Sequence, residues 1–441
     1  GGMIRAALAA LILLTASAAL AGDAKVHVAL GATTCSQSTC HSASTPWPNS
    51  SVSQREYVVW RERDPHSGSY ATLQSPRAKG IARAIGAGEP TEAARCLGCH
   101  AFNHPADRRE ETFDITEGVT CEACHGPASE WLGVHAAGLY FYGENLANGM
   151  YPTTDATARA ELCLDCHVGA WEKFVSHKMM AAGHPTLPFE LGFYSWFTTT
   201  NPADRSGYAH FTVDDDYLQR KPWPFGVKTW AIGQVIQTRK VLDLVVDPKN
   251  APKGLFPELA HFECRSCHEY RSVGDGVAVA LPRLKSANLL FAEFATELVD
   301  PALARRIRSQ NAALQAAGKE SWNAVIEASR KLRATLKAAE AKLAVRKYRV
   351  SDNTRMLQRI AAAYRSGALS EYEAAEQAVL AAGSLVDELA RLDALQPVDA
   401  AIAIDAMASG VSAFENQNTY SRSTVRASLD AIAKIAAKAG D

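Results

Sequence analysis

Ten cysteines occur in this 441-residue chain, at positions 35, 40, 96, 99, 121, 124, 163, 166, 264 and 267. They form five pairs, CSQSTCH, CLGCH, CEACH, CLDCH and CRSCH, and a histidine follows each pair directly. The chain holds only 13 histidines, so five such follow-ons in five are not chance. Two thiols and an imidazole in this order suit a covalently bound c-type haem. The thiols add to two vinyl groups on one porphyrin edge, and a short turn spans that edge. The next residue then projects beneath the ring, where its imidazole reaches the iron. Five haem c groups are therefore expected. Their anchors are Cys35 and Cys40 with His41, Cys96 and Cys99 with His100, Cys121 and Cys124 with His125, Cys163 and Cys166 with His167, and Cys264 and Cys267 with His268. The first pair leaves four residues between its thiols instead of two; this widens the loop and still presents both sulfurs.

Disulfides and zinc compete with this reading. Cysteines two apart make strained bridges and do not need a following histidine. Paired CxxC motifs can build zinc sites, but five pairs do not combine evenly in twos and the histidines again go unexplained.

A haem that carries electrons takes a second protein ligand, whereas one that binds a substrate leaves a position open. Four histidines outside the motifs have the context for that second ligand. His66 follows Asp64, a capping residue, and Pro65, which suits the first helical position. His135 is expected two turns along a helix that begins near Pro127. His177 and His184 are seven residues apart, two helical turns, so both could face one side of a helix that Gly183 and Pro185 stop. His27, His104, His210 and His261 read as surface or supporting residues. Met150, Met179 and Met180 could ligate, though Met179 and Met180 are more simply packing on the His177 helix.

These residues must be held by the rest of the chain. Every cysteine and histidine lies before residue 269. That leaves roughly 50 residues per haem, too few for an ordinary core round each, so porphyrins must supply much of the apolar interior. Helices and loops wrapped round five haems are expected over residues 22–284. From 285 to 441 the chain turns Ala-, Leu- and charge-rich, with Val379, Leu380, Val386 and Leu389 at helical spacing. A C-terminal antiparallel helical domain is expected there, with Gly367 ending one helix and Ser370 with Glu373 forming a capping box for the next. It reads as a structural cap, or as a module for docking or homo-oligomer formation. The fold class is thus mainly α.

Residues 1–21 read as a secretory signal peptide, with Arg5, an apolar run from Ala6 to Leu14, and Ala19-Leu20-Ala21 as the cleavage site; an uncleaved anchor helix is the alternative. Export to the periplasm, or beyond the cell, is expected. Net charge is −1 and no long basic run occurs, which argues against nucleic acid as a partner.

The segments GATTCSQSTCHSAS, DPHSGSYATL, CLGCHA, GVTCEACHGPASEWLGVH, CLDCHVG, SHKMMAAGHPTLPFEL and FPELAHFECRSCH occur in that order. Together they resemble the multihaem cytochrome c family related to cytochrome c-554, in a five-haem form with a C-terminal helical extension. The resemblance spans roughly residues 30–270, and members often open with a four-residue gap in the first pair. It implies an exported electron carrier with His66, His135, His177 and His184 as distal ligands, though relatives include hydroxylamine-oxidising enzymes. Glu269 stands where members often carry a second histidine, and Ser176 where asparagine is usual. The expected function is electron transfer through closely packed, mostly bis-histidine haems. Redox partner proteins are expected, either small cytochromes or membrane quinol-oxidising complexes. The alternative is a redox enzyme acting on a small nitrogen, sulfur or peroxide species at one five-coordinate haem.

Overall fold

A computed structural model describes residues 27–45, 54–137, 142–196, 226–250, 257–264, 283–285, 287–414 and 420–439. The signal peptide, His210, Cys267, His268 and Glu269 lie outside these residues. The described chain is mostly helical; pairing between extended segments is confined to isolated bridges such as Ala29 with Arg109.

The first half is built of short helices joined by tight loops: α1 (Glu56–Arg63), α2 (Ser69–Thr72), α3 (Pro76–Ile85), α4 (Ala94–His100), α5 (Cys121–His125), α6 (Leu132–Ala136), α7 (Tyr142–Ala147), α8 (Ala156–His167), α9 (His177–Ala181) and α10 (Leu191–Trp196). Three of them, α4, α5 and α8, end on a motif histidine. Their boundaries follow local chemistry. The Ser75 side chain accepts from Ala78 N to start α3, and Gly86, at φ 74°, closes it in a left-handed conformation that costs glycine little. Asp155 caps α8 through Ala158 N at 2.8 Å.

The second half has longer helices: α11 (Val227–Val246), α12 (Ala287–Glu297), α13 (Pro301–Ala317), α14 (Trp322–Val345), α15 (Val350–Arg365), α16 (Tyr372–Arg391), α17 (Pro397–Ser412) and α18 (Arg422–Ala436). Asp300 with Pro301, Ser321 and Ser421 mark the starts of α13, α14 and α18. Val379, Leu380, Val386 and Leu389 are all buried. One continuous core, running from Ala156 in α8 to Ala436 in α18, joins α8 and α11 to these helices. Helix α11 is apolar nearly all round, as a central helix must be, and packs against α8, α12, α14 and α16. The helix bearing Cys163, Cys166 and His167 is thus seated directly on the helical unit.

Three local expectations are corrected. The helix of His135 begins at Leu132, not near Pro127, because Ala128 N donates to Glu122 Oε1 at 2.7 Å and Ser129 N to Val28 O at 3.2 Å. These bonds hold residues 128 and 129 outside any helix. The helix of His177 is a single five-residue turn: His184 N donates back to Met179 O at 2.9 Å and Gly183 sits at φ 107°. Finally, Ser370 does not cap α16. Its hydroxyl donates to Gly367 O at 2.9 Å, and Glu371 occupies the cap position. Gly367, at φ 86°, does lie just past the end of α15.

Candidate metal centres

The motif histidines are brought against histidines distant in sequence. His41 faces His135 with ring centroids 6.0 Å apart and planes 10° from parallel. His66 faces His167 at 6.3 Å and 87°, and His100 faces His184 at 6.3 Å and 80°. A metal–imidazole bond is about 2 Å and the ring centre lies about 1 Å beyond the nitrogen, so two imidazoles on one metal stand about 6 Å apart. All three pairs have that separation, and each joins one motif histidine to one outside the motifs.

Four of these six imidazoles are oriented through Nδ1. His41 Nδ1 bonds Glu56 Oε2 at 2.7 Å, and His66 Nδ1 bonds Asp64 Oδ1 at 2.9 Å. His100 Nδ1 reaches Ser69 O at 3.1 Å and Thr72 Oγ1 at 3.0 Å, while His184 Nδ1 reaches Pro185 O at 2.8 Å. An acceptor on one ring nitrogen fixes the tautomer and leaves Nε2 to coordinate. The hydrogen bond to Glu56 raises the pKa of His41, and that to Asp64 raises the pKa of His66. Burial lowers His167 to about 4, so this ring is neutral, the form that ligates.

Local folding accounts for these placements. Asp64 caps the turn Pro65–Gly68 by accepting from His66 N at 2.9 Å. Trp131 packs edge-on against His135. Ser176 accepts from Met179 N at 3.3 Å, which starts α9 and places His177 first in that helix; His177 N donates to Glu258 Oε1 at 2.8 Å. The carbonyl of His125 accepts from Tyr151 N at 2.8 Å. Phe189 stacks on His167 at 4.2 Å, and its own carbonyl accepts from Gln237 of α11 and Gln377 of α16. The helical unit therefore backs the fourth motif histidine.

The thiols of different motifs also meet. Cys35 lies close enough to Cys121, and Cys99 to Cys166, for each pair to perturb the other's titration. Burial holds Cys163 up at about 11 and Cys124 at about 12. All nine described cysteines are free. Among the described residues, no group of three or more His, Cys, Asp or Glu side chains converges to hold a bare metal ion. Imidazoles in twos fit an iron whose other four positions are taken by a porphyrin.

The supporting histidines are elsewhere. His104 Nε2 lies 3.1 Å from His27 O, and the His27 ring fills the space over Gly149. His261 is buried against Trp322. Met179 is buried and Met180 half-buried on α9.

Sequence reasoning missed Glu122, inside the CEACH motif. Only 1 % exposed, its carboxylate accepts from Leu30 N at 2.9 Å, Gly31 N at 2.8 Å and Ala128 N at 2.7 Å. It ties the segment leading to Cys35 onto the third motif. Its partners lie up to 92 residues away, so no local pattern marks it.

The family described as cytochrome c554 and c-prime matches residues 34–126, which takes in the first three motifs. This part of the chain is thus related to the cytochrome c554 family and is that of a c-type cytochrome carrying covalent haem. No curated protein and no solved structure matches the chain. No described helix is long and apolar enough to cross a membrane.

Proposed function

We propose that this chain, related to the cytochrome c554 family over residues 34–126, is an exported pentahaem cytochrome that carries electrons through closely packed, mostly bis-histidine haems. The observation that carries the reading is the set of three imidazole pairs at 6.0, 6.3 and 6.3 Å. His41 with His135, His167 with His66, and His100 with His184 would each hold one iron from both faces. His125 and His268 would hold the remaining two from their motifs, and His177 is the further candidate for a second ligand. Haem iron, when bound, supplies a one-electron couple.

The chain's own residues do the rest. The paired imidazoles would hold the iron from both sides, so the site would change little between oxidation states. Glu56, Asp64, Ser69 and Pro185 fix ring orientation through Nδ1. Cys35 lies by Cys121 and Cys99 by Cys166, so haems held by these motifs would be anchored close together. Such closeness suits transfer along a series of irons. Exported c-type cytochromes of this kind meet redox partner proteins, and the helical unit offers a surface for docking or self-association.

Intact mass and electron paramagnetic resonance of the purified holoprotein test the reading. Five haems on a chain beginning at Gly22, with at least three low-spin ferric centres, are expected. Four haems would remove Cys35 and Cys40 from the set. A high-spin ferric signal that shifts with nitrite, hydroxylamine or peroxide would move the reading from carrier to enzyme.

A further inference from the structure

Residues 285–441 contain no cysteine and no histidine, yet they meet the last attachment motif. Cys264 Sγ lies 3.1 Å from Glu373 Oε1 in the first turn of α16, and Lys285 Nζ lies 3.2 Å from the same oxygen. Backbone bonds fix this corner: Glu263 N donates to Arg283 O at 2.8 Å, and Lys285 N to His261 O at 2.9 Å. His261, 6 % exposed, stacks on Trp322 of α14 with centroids 6.0 Å apart and planes 18° from parallel. Burial holds its pKa at about 4, so the ring is neutral and carries a single N–H.

Two nitrogens in this corner are buried without a partner among the described residues: His261 Nε2 and Trp322 Nε1. An indole nitrogen can only donate, and buried donors without acceptors are rare because each forfeits its bond to water. The two nitrogens sit on stacked rings, and the Lys285 ammonium is close enough to bear on His261. With the His261 N–H on Nε2, both nitrogens donate, and among the described residues neither has an acceptor. The group bonded to Cys264 brings carboxylates.

We propose that Trp322 Nε1 and His261 Nε2, with Lys285, receive a carboxylate of the haem anchored at Cys264, so that the C-terminal helical unit is one wall of that haem's site. The inference rests on reading Cys264 as a haem anchor. Glu373 holds the Lys285 ammonium in place once the Cys264 sulfur has become a thioether and no longer donates. The helical unit thereby acts on one haem of five.

The test is a spectropotentiometric titration of the full holoprotein, with Trp322→Phe and Lys285→Gln as variants. Trp322→Phe keeps an aromatic ring on His261 and removes only the N–H. Removing a donor or a cation leaves the carboxylate charge less neutralised, which favours ferric iron. One midpoint potential of the five should fall, the same one in both variants, with the other four unmoved. The double variant should lower it by less than the two single shifts combined, because both act on one carboxylate. Five haems by mass with every midpoint unmoved in Trp322→Phe overturns the proposal alone, as do shifts on different haems in the two variants. A mass showing free thiols at Cys264 overturns the anchor reading and the proposal with it.

Discussion

The imidazoles of His41 and His135 lie 6.0 Å apart and within 10° of parallel, although 94 residues separate them. The other two pairs stand almost perpendicular, at 87° and 80°. The relative angle of two axial imidazoles sets the splitting of the iron d orbitals. Parallel planes give a rhombic low-spin signal, and perpendicular planes give a strongly anisotropic one with a large highest g value. The ferric holoprotein should therefore show at least one rhombic centre and at least two of the large-g kind. Low-temperature electron paramagnetic resonance checks this, and a His135→Ala variant should lose the rhombic signal from the His41 haem and gain a high-spin one. Loss of a large-g signal instead would mean that His135 faces a different iron.

Glu56 bears on the same pair. Its carboxylate accepts from His41 Nδ1 at 2.7 Å, which makes the imidazole a stronger electron donor and favours ferric iron. Glu56→Gln keeps an acceptor and removes the charge. One midpoint potential should rise, by on the order of 60 mV for a tenfold change in a one-electron equilibrium. Redox titration of the variant, with haem content unchanged, is the measurement. A fall, or equal shifts in all haems, would exclude Glu56 as the residue tuning this site.

The fixed turn before His66 is legible, because Asp64 and Pro65 write it locally. Cysteine spacing and the following histidine are likewise the local signal for the proposed anchors. The pairing is not legible. Which histidine faces which depends on contacts spanning 94, 101 and 84 residues, made by short helices with little periodicity of their own. The misplaced starts of α6 and α16 have a related cause. Glu122 takes Ala128 N out of helical bonding, and Gly367 O draws off the Ser370 hydroxyl. In both cases a polar group outside the expected cap wins the bond. The long C-terminal helices were easier to read, since Val379, Leu380, Val386 and Leu389 answer to a single buried stripe.

Two buried carboxyls link stability to pH. Glu388 of α16 accepts from Val227 N at 2.7 Å, at the start of α11, and Glu190 accepts from Gly192 N at 3.0 Å and Phe193 N at 2.6 Å. Burial outweighs these bonds and raises each pKa from 4.5 to about 7. The folded state then holds protons that the unfolded chain has already lost between those values. Stability is fully present below about pH 4.5 and falls as pH rises to 7, by roughly 3 kcal/mol per group at most. Burial raises Glu376 of α16 to about 7 as well, so urea unfolding at pH 5 and pH 7.5 should show a loss from all three groups, and Glu388→Gln should reduce it by about a third. An unchanged loss in that variant would assign the pH dependence to other groups.

Arg239 ties the helix of Cys163, Cys166 and His167 to the helical unit. Its guanidinium bonds Glu161 of α8, Asp243 of α11 at 3.1 Å and Glu340 of α14 at 3.3 Å. Glu340 is 5 % exposed, so it relies on this cation and on the exposed Lys337 at 3.2 Å. Arg239→Met keeps the apolar stem but leaves the buried Glu340 carboxylate with only the exposed Lys337, at part of the cost of about 3–5 kcal/mol that a fully unpaired buried charge carries. The melting temperature of the holoprotein should drop accordingly. Lys240, 3.3 Å from Glu161, keeps α8 attached, so the haem content should not change. Adding Glu340→Met should restore part of the loss, because the penalty comes from the unpaired charge rather than from the missing bond. If the double variant is no more stable than Arg239→Met alone, Arg239 acts by packing and not by neutralising Glu340.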